Sequence, residues 1–145
     1  MQPQTPAELA KLIQLAVAPV FLLTGAGTLL NVLGTRLGRV VDRSRVLNEK
    51  IKALAREEQA PLVTEFEMLQ KRRRLVNMAI ASTVATMLVI CVLIASMFVG
   101  FLLDLHVSVL IATLFIIAML GLVGGLVLFL REALLASASV HLDAH

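Results

Sequence analysis

A stripe of polar side chains runs down one face of the chain's first apolar segment and its basic continuation. Stepping by threes and fours from Gln14 gives Val17, Phe21, Thr24, Thr28, Asn31, Thr35, Gly38, Asp42, Arg45, Glu49, Lys52 and Arg56. A mean step of about 3.5 residues holds such a set on one stripe of a helix and is the seam period of a left-handed coiled coil, so copies of this helix could meet along it. Polar groups in hydrocarbon cost free energy unless paired or hydrated, so the stripe is expected to face protein or water rather than lipid. Two readings follow. In one, a ring of subunits turns Thr24, Thr28, Asn31, Thr35 and Asp42 inward as the lining of an ion conduit. In the other, the threonine hydroxyls bond back to their own helix and Asn31 holds a neighbouring helix for about 1 kcal/mol. Pro19 lacks the N–H that an interior helical position uses, and Gly25 follows it closely, so the segment is expected to bend there.

The elements that position this stripe follow from composition. The chain has 145 residues, 59% of them hydrophobic and 16% charged, which is far from a soluble globule. Residues 12–35, 75–103 and 105–130 contain no Asp, Glu, Lys or Arg. Each stretch exceeds the roughly 20 residues needed to cross about 30 Å of hydrocarbon. The expected fold is therefore all-α and integral to the membrane, a single membrane domain over 1–145 with spans at about 12–35, 76–103 and 107–130. A cleavable leader does not fit the first stretch, whose apolar run is too long and whose flank sets Lys11 against Glu8. Cys91 is the one cysteine and lies inside an apolar run, so it reads as a small hydrophobe.

Charge gives the expected topology. Eleven of the 13 Lys and Arg residues lie between Arg36 and Arg74. Short basic connections stay in the cytoplasm, so the N-terminus is expected outside and the C-terminus inside. Six carboxylates share that segment, which leaves a local net of +5. Anionic lipid is the simpler partner for it than nucleic acid. Arg36, Arg39, Lys71, Arg72, Arg73 and Arg74 are the candidates for lipid phosphate.

Between the first two spans, residues of about 36–75 are expected to form a cytoplasmic antiparallel helical hairpin. The first helix should run from about residue 7 to about 58, with Pro61 opening the second. A capping box of Thr64 and Glu67 would move that start by three residues. Val40, Leu47, Ile51 and Leu54 should zip against Leu62, Phe66 and Leu69. Gly121 and Gly125 form a small-xxx-small pair that permits close helix contact. Asp104 with His106, and the tail residues His141, Asp143 and His145, are sparse as metal ligands and read as turn and frayed-end chemistry. No metal, cofactor or catalytic residue is expected, because the spans carry no acid or base beside Ser82.

The run Ala16-Val-Ala-Pro-Val-Phe-Leu-Leu-Thr-Gly25, followed by Leu29-Leu-Asn-Val-Leu33, Arg39-Val-Val-Asp-Arg43 and Lys71-Arg-Arg-Arg74, resembles a bacterial family of small membrane proteins filed as a domain of unknown function. The resemblance implies three spans and a bacterial inner membrane, and transfers no catalytic residue. The functional expectation is a homo-oligomeric ion channel or channel-like conduit lined by the first helix. Cations are slightly favoured by the hydroxyl and amide oxygens and by Asp42, against Arg36, Arg39, Arg43 and Arg45. The alternative is a noncatalytic scaffold whose hairpin docks a partner. Its expected partners are itself, anionic lipids and inorganic ions.

Overall fold

Three helices account for the fold in a computed structural model that describes residues 5–53 and 60–142. They are α1 (Pro6–Ala53), α2 (Ala60–Leu102) and α3 (Ser108–Leu142). Each contains a stretch long and apolar enough to cross a membrane. At most 28% of any such stretch is buried by the chain itself, so lipid or other protein must cover the remainder.

The helix ends follow local chemistry. Thr5 and Glu8 cap α1 reciprocally: the Thr5 N–H donates to Glu8 Oε2 at 2.9 Å, and the Glu8 N–H donates to Thr5 Oγ1 at 3.4 Å. Pro6 sits between them at the first helical position, where its missing N–H costs nothing. The helix then runs through Pro19 without a break. The expected end near residue 58, together with Leu54, lies outside the described residues. Pro61 falls in the first turn of α2, which begins at Ala60. The start at Thr64 is corrected, because the Thr64 hydroxyl donates to the Ala60 carbonyl at 3.2 Å from inside the helix.

The turn between α2 and α3 closes as a Schellman cap. The Leu105 N–H donates to the Gly100 carbonyl at 2.9 Å, and Asp104 takes the left-handed conformation with φ 52°. A Cβ on Gly100 would collide with Val107 Cγ2, so the tight return needs glycine there. The charge-free stretch expected to form the third span ends at residue 130, and α3 continues past it to Leu142. Residues 131–142 contain no glycine or proline, and an apolar-to-polar change does not end a helix. The side chains of the His141, Asp143 and His145 set lie outside the described residues.

Packing divides the chain into two compact units. The first comprises Met1–Leu30 and Ser82–Val123, and the second Asn31–Ala81 and Gly124–His145. In the first unit, Ala16, Leu93 and Met97 form a core to which Leu12, Ile94, Phe98, Ile111 and Leu114 add. In the second, Val40, Leu47 and Leu69 are buried with Ile51, Leu62 and Phe66 against them, which is the apolar zip expected of the hairpin. Each helix buries positions seven residues apart, and α2 adds positions at alternating steps of three and four between them. On α2 these include Leu69, Val76, Thr83, Ile90 and Met97, each seven residues from the next. That is the geometry of knobs packed into holes, and it leaves the opposite face of each helix bare.

Candidate functional site

The seven-residue register explains where polar chemistry is held. On α1 the buried positions Pro19, Ala26, Leu33, Val40 and Leu47 repeat every seven residues. The stripe of Thr24, Thr28, Asn31, Thr35 and Asp42 is offset by two residues from this series, on the far side of the helix. All five are exposed, Thr24 and Thr28 in the first unit and Asn31, Thr35 and Asp42 in the second. The threonines bond within their own helix: Thr24 donates to the Val20 carbonyl at 3.2 Å, Thr28 to Thr24 at 3.1 Å and Thr35 to Asn31 at 3.0 Å. The Asn31 amide makes no side-chain hydrogen bond among the described residues. Gly25, Gly27, Gly34 and Gly38 have open space where a Cβ would lie.

The same register on α3 runs through Ala118 and Gly125 to Glu132, a charged residue in a position that packing reserves for small or apolar groups. Glu132 is 1% exposed. Its carboxylate is held from both sides: Arg36 Nη1 of α1 donates to Oε2 at 2.7 Å, and Arg72 Nη2 of α2 donates to Oε1 at 3.1 Å. The Arg36 guanidinium also lies 4.9 Å from the centroid of the Phe129 ring, a cation–π placement that covers its apolar face. One side chain from each helix thus meets in an Arg–Glu–Arg clasp within the second unit. A buried carboxylate is costly unless paired, and here each oxygen has a guanidinium partner. With both oxygens engaged, Glu132 is poorly placed as a general base or metal ligand.

Beside the clasp lies a cavity of about 320 Å³ lined by Arg36, Arg39, Val40, Arg43, Leu69, Arg72 and Glu132. Arg43 is paired across the hairpin, its Nε and Nη2 both donating to Glu65 Oε1 at 3.0 and 2.7 Å. Arg39 has no partner among the described residues. The Nε of Arg72 is buried and makes no hydrogen bond. A second cavity, about 390 Å³, is lined by Gln70, Arg73, Arg74, Asn77, Met78 and Ala81 along α2. The six basic residues expected at lipid phosphate therefore separate: Arg36 and Arg72 share Glu132, Arg39 borders the first cavity, Arg73 and Arg74 border the second, and Lys71 is exposed and lines neither.

In the first unit, α2 and α3 touch at backbone distance. The Ser82 hydroxyl donates to the Gly121 carbonyl at 3.1 Å, and Thr86 donates to Ser82's carbonyl at 2.9 Å. A Cβ on Gly121 would collide with Thr86 Oγ1, so the glycine is what lets the two helices meet here. Among the described residues no group of three or more His, Cys, Asp or Glu side chains could hold a metal ion.

The family described as "Protein of unknown function (DUF2721)" matches residues 16–142, which takes in the exposed stripe of α1, the clasp and the close α2–α3 contact. The chain belongs to this family. The match bears out the resemblance carried by the Ala16–Gly25, Leu29–Leu33 and Arg39–Arg43 runs. No curated protein and no solved structure matches the chain. Membership thus brings no activity with it, and the residues themselves carry the functional reading.

Proposed function

We propose that copies of this chain assemble in a bacterial inner membrane, N-terminus outside, with their α1 helices innermost, and that the assembly conducts ions along the face bearing Thr24, Thr28, Asn31, Thr35 and Asp42. The observation that supports this is the exposure of that whole face while the opposite side of α1 is spent on the chain's own core. An unpaired amide facing acyl chains costs roughly 2 kcal/mol or more, so Asn31 favours a partner or water over lipid. The hydroxyl and amide oxygens and the Asp42 carboxylate slightly favour cations.

A second reading is a noncatalytic scaffold, and it rests on a specific observation: the hydroxyls of Thr24, Thr28 and Thr35 are already satisfied by their own helix. Such a face can pack dry. The hairpin formed around Val40, Leu47 and Leu69 would then be the part that meets a partner. Purified protein in liposomes separates the two. The conduit requires ion flux that changes with Asn31→Leu or Thr28→Leu. Oligomers without flux leave the scaffold standing and remove the conduit.

A further inference from the structure

We infer that the cavity beside the Arg36–Glu132–Arg72 clasp binds the phosphodiester headgroup of an anionic phospholipid. The cavity brings four guanidinium groups, Arg36, Arg39, Arg43 and Arg72, around about 320 Å³, a size at the lower end of ligand-binding pockets. Glu132 and Glu65 offset two of those four charges, which leaves an excess that attracts an anion without demanding a dianion. Two donors remain to be used. Arg39 has no carboxylate partner among the described residues, and the Nε–H of Arg72 is buried without an acceptor. Guanidinium forks match the oxygens of a phosphate, and a buried N–H gains most from such an acceptor.

The position selects a lipid over a soluble anion. Arg36 immediately follows the charge-free stretch that ends at Thr35, and Arg72 lies three residues before the stretch that begins at Leu75. The cavity therefore stands at the edge of the hydrocarbon, where headgroup phosphates reside. Val40 and Leu69 supply apolar wall to the same cavity, suited to the glycerol side of a headgroup. Glu132 has a stated part in this: by drawing Arg36 and Arg72 together it fixes two of the donors, while Arg39 and Arg43 complete the rim. The inference stands whether or not α1 lines a conduit.

Native mass spectrometry and thermal unfolding of the full chain in a neutral detergent test it, with phosphatidylglycerol, phosphatidylcholine or inorganic phosphate added. Phosphatidylglycerol is expected to be retained and to stabilise the protein, with phosphatidylcholine and inorganic phosphate doing neither. Arg39→Gln, which removes no side-chain hydrogen bond or ion pair among the described residues, should weaken that lipid's binding about tenfold or more, while Arg131→Gln should not. If inorganic phosphate stabilises as well as the lipid and loses its effect in Arg39→Gln, the lipid assignment is overturned in favour of a soluble anion. If phosphatidylglycerol binds equally to the wild type and Arg39→Gln, the cavity is not the site.

Discussion

Replacing Glu132 by glutamine keeps the size of the side chain and removes its charge, leaving two guanidinium groups to share one neutral acceptor. The glutamine oxygen can serve one of them, and its NH2 then confronts the N–H groups of the other. Removing one member of a buried ion pair costs about 3–5 kcal/mol where the survivors are fully enclosed. The survivors here keep some water, Arg36 being 37% and Arg72 24% exposed, which lowers the expected loss to about 2–3 kcal/mol. A control shares the distance but not the burial. Arg43 and Glu65 also pair at 2.7 Å, yet their side chains are 55% and 40% exposed, so Glu65→Gln should cost under about 1 kcal/mol. Reversible unfolding in mixed micelles titrated with SDS, followed by circular dichroism, measures both. The triple change Arg36→Met, Arg72→Met, Glu132→Leu should recover most of the loss, because it removes the buried charges together. Should Glu132→Gln fall within about 0.5 kcal/mol of Glu65→Gln, the clasp does not hold the helices as reasoned.

Gly121→Ala should destabilise the protein by about 1–2 kcal/mol, the overpacking against Thr86 exceeding the helix-propensity gain, and adding Thr86→Ala should restore most of it in the same unfolding assay. Asp104→Gly should raise stability by about 0.5–1 kcal/mol and Asp104→Val lower it, since φ 52° suits glycine and opposes a β-branched residue. Leu47→Ala, at a side chain 2% exposed, should cost about 2–4 kcal/mol, whereas Val46→Ala, 47% exposed, should cost under about 1 kcal/mol. Thr5→Ala should lose about 1 kcal/mol of helix stability through the broken capping box, seen as lower amide protection at the start of α1 by hydrogen exchange.

The helices were legible because charge-free runs and proline placement are one-dimensional signals. Pro61 marks the first turn of α2, and the Val40–Leu47–Leu69 zip follows from spacing alone. Glu132 was not legible by charge counting, which sees only a carboxylate next to Arg131 at the end of a span. The seven-residue register through Ala118 and Gly125 does point to it, but reading that register requires knowing which face of α3 is buried. The length of α3 beyond its charge-free stretch was not legible for a related reason: polarity marks where a helix leaves an apolar phase, and only a breaker or a cap marks where it stops. The close contact at Gly121 could be named from its spacing with Gly125, whereas its partner Thr86 became visible only once α2 and α3 were packed.

The central claim is that the polar face of α1 meets copies of itself. Cysteine crosslinking in native membranes tests it most directly, on a Cys91→Ser background because Cys91 is exposed. With a bifunctional thiol reagent, Thr24→Cys and Asn31→Cys should give covalent dimers and higher species, and Val109→Cys, 77% exposed on α3, should stay monomeric. Monomer alone at Thr24 and Asn31, or crosslinking no greater than at Val109, would contradict the account.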